Sequence, residues 1–461
     1  MFISRYMHSM TSTITVLIVV MASGATANQA HGGLLDVYQL ARDNDPIFRE
    51  QFYGKQAADE LYYQARSALL PQVSVTASQS QTYQNIRQSD NESFDSGSVS
   101  FPTTRYGASI SQSVYDYARW SSFAQSKKEI RQAASELEVV RQNLLYRVAE
   151  RYFDALSIYE NLSYLQAEKG SVEANYQEVL ARFEDGLTRS ENMLDARARL
   201  EQVRAREIEV QNALRDAIEA LAEMIGAPPQ QLVLLGSDLQ LSRPDPDSQE
   251  AWETLAIERS PRLKAAELAT EVANRSIDVR RGGHFPTLDL QLNYDFDDTD
   301  GSLFGGGSEV ETQEIALRLN VPVYSGGRTS SEVRESVSLL EASRSQLEGV
   351  TRELRREVRS SYQSILSAKA RERSLRRSLE ASEQVVESRQ VSVETGIVPL
   401  RDLLDAERDL FFARSELAAA RYDYLINVLR LKRATGVINV DDLREIDERM
   451  NEHVSISNIF N

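Results

Sequence analysis

Residues 287–297 read TLDLQLNYDFD, and this segment is the strongest indication of the fold. Apolar side chains occupy every second position of this stretch, and polar or acidic side chains occupy the positions between them. A period of two is typical of a β-strand that has one apolar and one polar face. The run is about ten residues long, which is the length that a tilted membrane strand needs. The predicted apolar face consists of Leu288, Leu290, Leu292, Tyr294 and Phe296.

The same alternation predicts three more strands, so that the strands form two pairs. One pair is predicted at about residues 72–83 and 106–115, and the other at about 287–297 and 312–323. Residues 84–104 and 298–311 join the members of each pair. They are rich in polar residues or glycine, so we predict long exposed loops. A soluble sheet with one wet face would show the same alternation, and the strands alone leave both interpretations open.

A very long helix is predicted after each strand pair. Residues 118–184 and 329–395 contain no proline, and apolar residues recur in both at a seven-residue spacing. Sustained apolar heptads predict helices that pack lengthwise as coiled coils. At 1.5 Å per residue, a helix of about 67 residues is roughly 100 Å long, several times the thickness of a bilayer. A second long helix is predicted to return from each, ending at Gly226 or Gly436.

The strand pairs and helices belong to a duplicated unit. Pro46 is matched by Pro261, 215 residues later, and Gly226 is matched by Gly436, 210 residues later. Proline is tolerated in the first turn of a helix, so the two prolines predict matching helix starts. We therefore predict two structural repeats, residues 28–236 and 249–436, with a linker at 237–248 and a C-terminal tail at 437–461.

Composition narrows the class of protein. Residues 1–27 are predicted to be a signal peptide, because Arg5 precedes a short apolar run and Ala25-Thr26-Ala27 fits a cleavage site. The net charge of −17 disfavours nucleic acid as a partner, and the absence of cysteine excludes a disulfide scaffold. There is no apolar run long enough for a transmembrane helix, so a part embedded in lipid would have to be a β-barrel.

Four strands per chain are too few to close a barrel, because the smallest common membrane barrels have eight strands. An open sheet edge in lipid would leave backbone groups unpaired at a cost of several kcal/mol each. The chain is therefore expected to oligomerise through its strands. Two chains would give eight strands and a filled lumen, and three would give twelve strands and room for passage. These physical arguments leave both assemblies open.

Residues from about 34 to 436 resemble the TolC family of outer-membrane export ducts. The resemblance is carried by YQLAR (38–42) before NDP (44–46), ARSALLPQ (65–72), SVYD (113–116), HFPTLDL (284–290), VYSGG (323–327) and ARYDYLIN (420–427). It implies a mainly α-helical protein with a membrane β part. In that architecture a homotrimer forms a twelve-stranded barrel in the outer membrane of a Gram-negative bacterium, above a coiled-coil tunnel through the periplasm.

The resemblance also implies partners and cargo. The partners would be outer-membrane lipid, a periplasmic adaptor protein and an inner-membrane pump of the ABC or proton-driven type. The cargo would be proteins or small toxic compounds. A secreted structural coiled-coil protein or adhesin is the alternative, although it would not require the strand pairs. The four histidines are scattered and phosphate-binding glycine loops are absent, so we expect no enzymatic activity, no metal site and no cofactor.

The candidate functional residues follow Gly396. Asp402 and Asp405 are three residues apart, so they share one face of a helix, where like charges repel unless they meet water or cations. In a trimer they would form two rings of carboxylates, an arrangement that selects or binds cations in pores. The family resemblance implies that this pair narrows the tunnel. A solvated helix face is the ordinary alternative.

The turns around this pair are predicted to form the gate and the periplasmic tip. A well-known member of the family locks its closed end with polar residues at the positions of Val393, Val398, Glu191 and Asn192, so that lock is absent here. Arg401 or Arg189 could replace it by pairing with Glu191. The first-half equivalents of the aspartate pair are Asn192 and Asp195. The predicted contacts to the adaptor are Gly186, Leu187, Gly396 and Ile397.

Overall fold

The computed structural model describes residues 32–87, 97–236, 241–301, 306–395 and 397–456. The predicted signal peptide at 1–27 and the predicted contact residue Gly396 lie outside the described residues. None of the described helices combines the length and the apolar character that crossing a membrane requires.

The first half contains two helices, two strands and two long helices. In chain order these are α1 (Leu34–Asn44), α2 (Pro46–Ser67), β1 (Gln72–Ile86), β2 (Gly97–Tyr115), α3 (Tyr117–Glu184) and α4 (Ser190–Ile225). A short strand, β3 (Gln231–Leu235), follows. The Asp45 carboxylate accepts a hydrogen bond of 2.7 Å from the Phe48 N–H, and Pro46 occupies the first turn. This combination of cap and proline starts α2 where the sequence predicts it.

The second half repeats this order. Its elements are α5 (Gln249–Arg259), α6 (Pro261–Arg281), a 3-10 turn (Gly282–His284), β4 (Thr287–Thr299), β5 (Ser308–Asn320), α7 (Arg328–Glu394) and α8 (Leu400–Thr435). Ser260 takes the capping role of Asp45, because its hydroxyl accepts from the Leu263 N–H. Gly226 and Gly436 end α4 and α8 in the left-handed conformation, with φ of 85° and 77°. The predicted set of long helices and four strands is confirmed.

The four strands form one antiparallel sheet in the order β1-β2-β4-β5. Directly opposed residues of neighbouring strands point to the same face of a sheet. Val73 lies opposite Ile110, Ile110 opposite Leu292, and Leu292 opposite Ile315. The apolar face predicted from single strands therefore runs across the whole sheet. β1 and β5 are its two outer strands.

The strand boundaries differ from the prediction. β2 begins at Gly97, inside the stretch 84–104 that was predicted as a loop, and β5 begins at Ser308 rather than at 312. Polar cross-strand contacts extend the ladder there, such as the 2.6 Å hydrogen bond from Gln81 Nε2 to Ser100 Oγ. At its other end β5 stops at Asn320 instead of 323, because Pro322 has no N–H to continue the ladder.

The sequence analysis missed a second, two-stranded sheet. It is formed by β3 and β6 (Met450–Ser455), and α9 (Val440–Asp447) precedes β6. Asn439 and Asp442 start α9 with a capping box. The fully buried Tyr152 of α3 fixes this region, because its hydroxyl accepts from the Val233 N–H at 2.8 Å and donates to the Gly32 carbonyl at 2.6 Å. The chain after α8 is thus folded back onto the first half.

The long helices form two layers along the molecule. Near the four-stranded sheet, the helices pack side by side in the order α2-α3-α6-α7. On the far side of the small sheet, which is the two-stranded sheet of β3 and β6, the order is α4-α3-α8-α7. α3 lies inside both layers, whereas α7 lies at an outer edge of both. The main hydrophobic core lies between α3 and α8, beside β3 and β6, and it includes Leu145, Phe153 and Tyr422.

Candidate functional site

The candidate site lies at the end of the helices that is farthest from the four-stranded sheet. Two turns meet there, one at residues 185–189 and one at residues 395 and 397–399, and residues of both line one groove. Gly186 has a φ of 72°, a conformation that favours glycine. Leu187 and Ile397, which occupy matching positions after the glycines, have 72% and 77% of their surface exposed. The two turns are therefore built alike, with an apolar side chain presented to solvent at each.

Asp402 and Asp405 lie one turn apart at the start of α8. The packing of α8 places them, because Leu404 and Ala406 point inward and are buried. Both carboxylates keep about two fifths of their side chain exposed, with values of 40% for Asp402 and 39% for Asp405. Asp402 lies in the first turn of α8, where the unpaired backbone N–H groups and the helix dipole favour its negative charge.

Arginines surround the aspartate pair, which the sequence analysis did not predict. Asp405 Oδ1 lies 3.0 Å from Nη1 of Arg199 on α4 and 3.9 Å from Nη1 of Arg408. Asp402 Oδ2 lies 3.4 Å from Nη1 of Arg389, near the end of α7. The signals in the sequence were the spacing of three between Asp405 and Arg408 and the spacing of four between Arg401 and Asp405. Arg199 is 206 residues away from Asp405, so no local pattern could have revealed it.

The predicted gate neighbours divide into two groups. Asp195 lies 3.9 Å from Arg199, so Asp195 and Asp405 share one guanidinium and the two halves are joined there. Arg401 lies 4.0 Å from Asp405, in its own helix, rather than beside Glu191. Asn192 donates a hydrogen bond of 2.9 Å to Thr188 Oγ1 and so stabilises its own turn.

The remaining predicted neighbours take no part in that junction. Glu191 is exposed in the first turn of α4, where the helix dipole favours its charge. Val393 and Val398 are half-buried apolar side chains, so they have no polar group with which to form a lock. The chemistry of the site is therefore electrostatic. Carboxylates and guanidiniums face one another where the two halves of the chain meet.

Comparison with known proteins assigns the chain to a family. The family model described as "Outer membrane efflux protein" matches residues 37–227 and 252–437. The chain is 31% identical to the outer membrane protein TolC of Vibrio cholerae, over 90% of this chain and 93% of that protein. It is 29% identical to the alkaline protease secretion protein AprF of Pseudomonas aeruginosa, over 89% of this chain and 86% of that protein.

Solved structures share the fold. The outer membrane channel CmeC of Campylobacter jejuni matches with a TM-score of 0.76 at 17% identity, over 91% of this chain and 90% of that one. CusC matches with a TM-score of 0.73 at 19% identity, over 88% of this chain and 92% of that one. The alternative of a secreted structural coiled-coil protein or adhesin is therefore wrong. The chain belongs to the outer membrane efflux protein family, and it is a TolC-family transport channel of the Gram-negative outer membrane.

Proposed function

We propose that three copies of this chain form a channel-tunnel that exports proteins or small toxic compounds across the periplasm and the outer membrane. The observation that carries the proposal is the four-stranded sheet, whose outer strands β1 and β5 each have one unpaired edge in the protomer. Unpaired backbone groups in lipid cost several kcal/mol each. Joining β5 of each copy to β1 of the next would remove every edge and close a barrel of twelve strands, which is wide enough for passage.

The apolar face of the sheet supports contact with outer-membrane lipid. On the outer strand β5, Ile315, Leu317 and Leu319 are each more than three fifths exposed in the protomer. Their opposed partners on β4 are Leu292, Leu290 and Leu288. An exposed apolar band of this size is costly in water. Lipid around the closed barrel would cover it, while the polar face would line the lumen.

The turns at the opposite end support contact with a periplasmic adaptor protein. Leu187 and Ile397 present matched apolar side chains there, and Leu187 follows the positive-φ residue Gly186. Exposed apolar groups at matching positions are suited to docking a protein partner. Gly396 would complete this surface. An inner-membrane pump, of the ABC or proton-driven type, would engage the same adaptor and supply the energy for transport.

The aspartate pair would form the constriction. In a ring of three copies, Asp402 and Asp405 would give two rings of carboxylates around the axis, and such rings select cations. Here the contact between Arg199 and Asp405 would take the place of the polar lock of the well-known member, because it ties α4 to α8. Opening would then require that α8 separates from Arg199.

Single cysteines test the orientation of the duct, because the natural chain contains no cysteine. We expect Leu187→Cys and Ile397→Cys to crosslink to the adaptor in cells and to be protected from an impermeant thiol reagent outside. Tyr83→Cys, near the other end of the sheet, is the matched control and should react from outside. Labelling of Leu187→Cys from outside, with no adaptor crosslink, would contradict the proposal. Gly186→Pro should abolish export and leave the assembly intact, because φ is positive at that position.

A further inference from the structure

The duplication allows the long helices of the two halves to be compared position by position. With an offset of 210, Leu144, Val148 and Tyr152 of α3 match Leu354, Val358 and Tyr362 of α7, and all six are buried. The same offset matches Leu221 and Gly226 of the α4 region to Leu431 and Gly436 of the α8 region. A contact of α3 with α8 inside the chain therefore has a matched pair of surfaces on α7 and α4.

Inside the chain, α3 and α8 pack through a buried face. The guanidinium of Arg433 lies 4.3 Å from the ring centroid of Tyr146, and the Tyr146 hydroxyl accepts a 3.0 Å hydrogen bond from Arg430 Nε. The rings of Phe153 and Tyr422 stack at 5.7 Å. Leu145, Tyr146 and Ala149 on this face of α3 are at most 4% exposed. These residue pairs therefore fix the register of the contact between α3 and α8.

On α7 the matched face carries arginines instead. Leu145, Tyr146 and Ala149 become Arg355, Arg356 and Arg359, and Gln142 becomes Arg352; we call these four residues the arginine stripe. All four are exposed. Arg359 binds Glu253 of α5, and Arg352 pairs with Glu348 one turn away. Among the described residues, Arg355 and Arg356 form no direct ion pair, although the pKa of Glu253, lowered first by the hydrogen bond from Arg359, is lowered further by the charge of Arg355.

On α4 the matched face carries acids. Ile426, Leu429 and Arg433 of α8 become Asp216, Glu219 and Glu223; we call these three residues the acidic stripe. Spacings of three and four put them on one face of the helix, and all three are exposed. Glu223 lies 3.8 Å from Arg151 but keeps 73% of its side chain exposed. Arg215, which matches Leu425, is the one basic residue among these positions.

The two stripes lie on opposite edges of the protomer. In the layer beyond the small sheet, the helix order is α4-α3-α8-α7, so α4 and α7 are the outer helices. An edge that carries arginines and an edge that carries acids cannot meet within one copy. They can meet between copies, in a head-to-tail ring where each copy contributes one edge to each contact.

We propose that the arginine stripe of one copy packs against the acidic stripe of the next, in the register of the internal contact between α3 and α8. Tyr146 contacts Arg433 within the chain. Its matched residue on α7 is Arg356, and the residue of α4 that matches Arg433 is Glu223, so the same register places Arg356 against Glu223. The same register brings Arg359 to Asp216 and Glu219. This inference rests on the proposed ring of three copies and names the residues that set its subunit contacts.

The charges would also exclude wrong contacts. Two arginine stripes facing each other, or two acidic stripes, would place like charges side by side, which opposes pairing of identical edges. An apolar face, such as the one on α3, would carry no such discrimination. The contact within one chain is therefore mostly apolar and aromatic, with Arg430 and Arg433 bound to Tyr146, whereas the matched contact between copies is charged on both sides.

Crosslinking of the full-length, membrane-assembled protein tests the register. Arg356→Cys combined with Glu223→Cys should give covalently linked chains with a short thiol-to-thiol crosslinker, because the natural chain has no cysteine. The control combines Glu223→Cys with Arg373→Cys, which is exposed on the same helix but about 25 Å farther along it. The expected result is that most of the test protein is linked and the control stays at background. Equal linkage in both, or none in an assembled ring, would overturn the inference.

Charge reversal provides a second test that does not depend on cysteine geometry. Arg356→Glu should lower the fraction of assembled protein that resists dissociation by detergent and heat, and added Glu223→Arg should restore it. High salt should reduce the defect of the single variant, since exposed charges are screened. If the single variant assembles like the natural chain, or if the double variant is worse than either single one, the inference fails. A natural chain that is monomeric would overturn the proposed function as well.

Discussion

The two longest helices of the molecule are copies of one element, yet their surroundings differ. α3 packs against α2, α4, α6 and α8, whereas α7 packs against α5, α6 and α8 and remains open on one side. At matched positions α3 has the buried Leu145 and α7 has the exposed Arg355. Duplication therefore fixed the length of both helices and the apolar face that each buries in the core. The position of each helix in the protomer then decided the character of its second face.

The largest expected effect contrasts these two helices. Leu145→Ala removes a fully buried side chain from the main core and should cost about 2–5 kcal/mol of unfolding free energy. Arg355→Ala at the matched exposed position should cost less than about 1 kcal/mol, because an exposed charge contributes little. Urea unfolding followed by circular dichroism measures both. Similar losses for the two variants, measured on chains that are dissociated from one another, would mean that this side of α7 is packed within its own protomer.

The second contrast lies between the two faces of one strand. Leu290→Arg should cost about 2–4 kcal/mol if the side chain meets the middle of the bilayer. Gln291→Arg, one residue away on the polar face, should be tolerated. The yield of assembled protein in the outer membrane reports both effects. Normal assembly of Leu290→Arg together with failure of Gln291→Arg would reverse the assignment of the faces.

Local chemistry made much of the fold predictable. Pro46 and Pro261 predicted the starts of α2 and α6, because proline fits the first turn of a helix but not its interior. The structure shows matching caps at Asp45 and Ser260. The alternation from Leu288 to Phe296 identified a strand face that the register confirms. The family resemblance added the architecture that these local patterns could not supply.

Features that depend on distant contacts were not predictable. β3 and β6 are only five and six residues long and pair across more than two hundred residues, so neither carries a strong pattern of its own. β2 extends through serines and threonines that resemble a loop in composition. At the site, the spacing of Asp402 and Asp405 was visible, whereas Arg199 and Arg389 reach them only through the tertiary fold.

The third contrast compares the aspartates of α8 with the matched aspartate of α4, at the end of the helices that is farthest from the four-stranded sheet. Asp402→Ala combined with Asp405→Ala should reduce the cation selectivity of single channels and weaken block by multivalent cations, because two rings of carboxylates are removed. The change in unfolding free energy should be small, since both side chains are partly exposed. Asp195→Ala, at the position of α4 that matches Asp405, is the control and should have the smaller effect. Unchanged selectivity and block in the double variant would remove Asp402 and Asp405 from the constriction.

The smallest expected effect concerns Glu160 of α3, whose matched position on α7 is Ala370. Burial raises the pKa of Glu160, and the hydrogen bond that it accepts from Tyr422 opposes the rise only in part. A raised pKa means that the folded state holds the proton more tightly, so the ionised carboxylate lowers stability above the folded pKa. Lowering the pH toward the unfolded pKa should therefore stabilise the natural chain slightly relative to Glu160→Gln. A stability difference that does not change with pH, measured by urea unfolding, would contradict this assignment.

In the proposed ring, the open edge of the first half closes on the open edge of the second half of a neighbouring copy. Native mass spectrometry of the detergent-solubilised protein tests it most directly, because the number of chains decides how many strands close the barrel. Four strands per chain and a passage wide enough for cargo predict a particle of three chains. A particle of two chains, whose eight strands would leave the lumen filled, or a stable single chain would contradict the account.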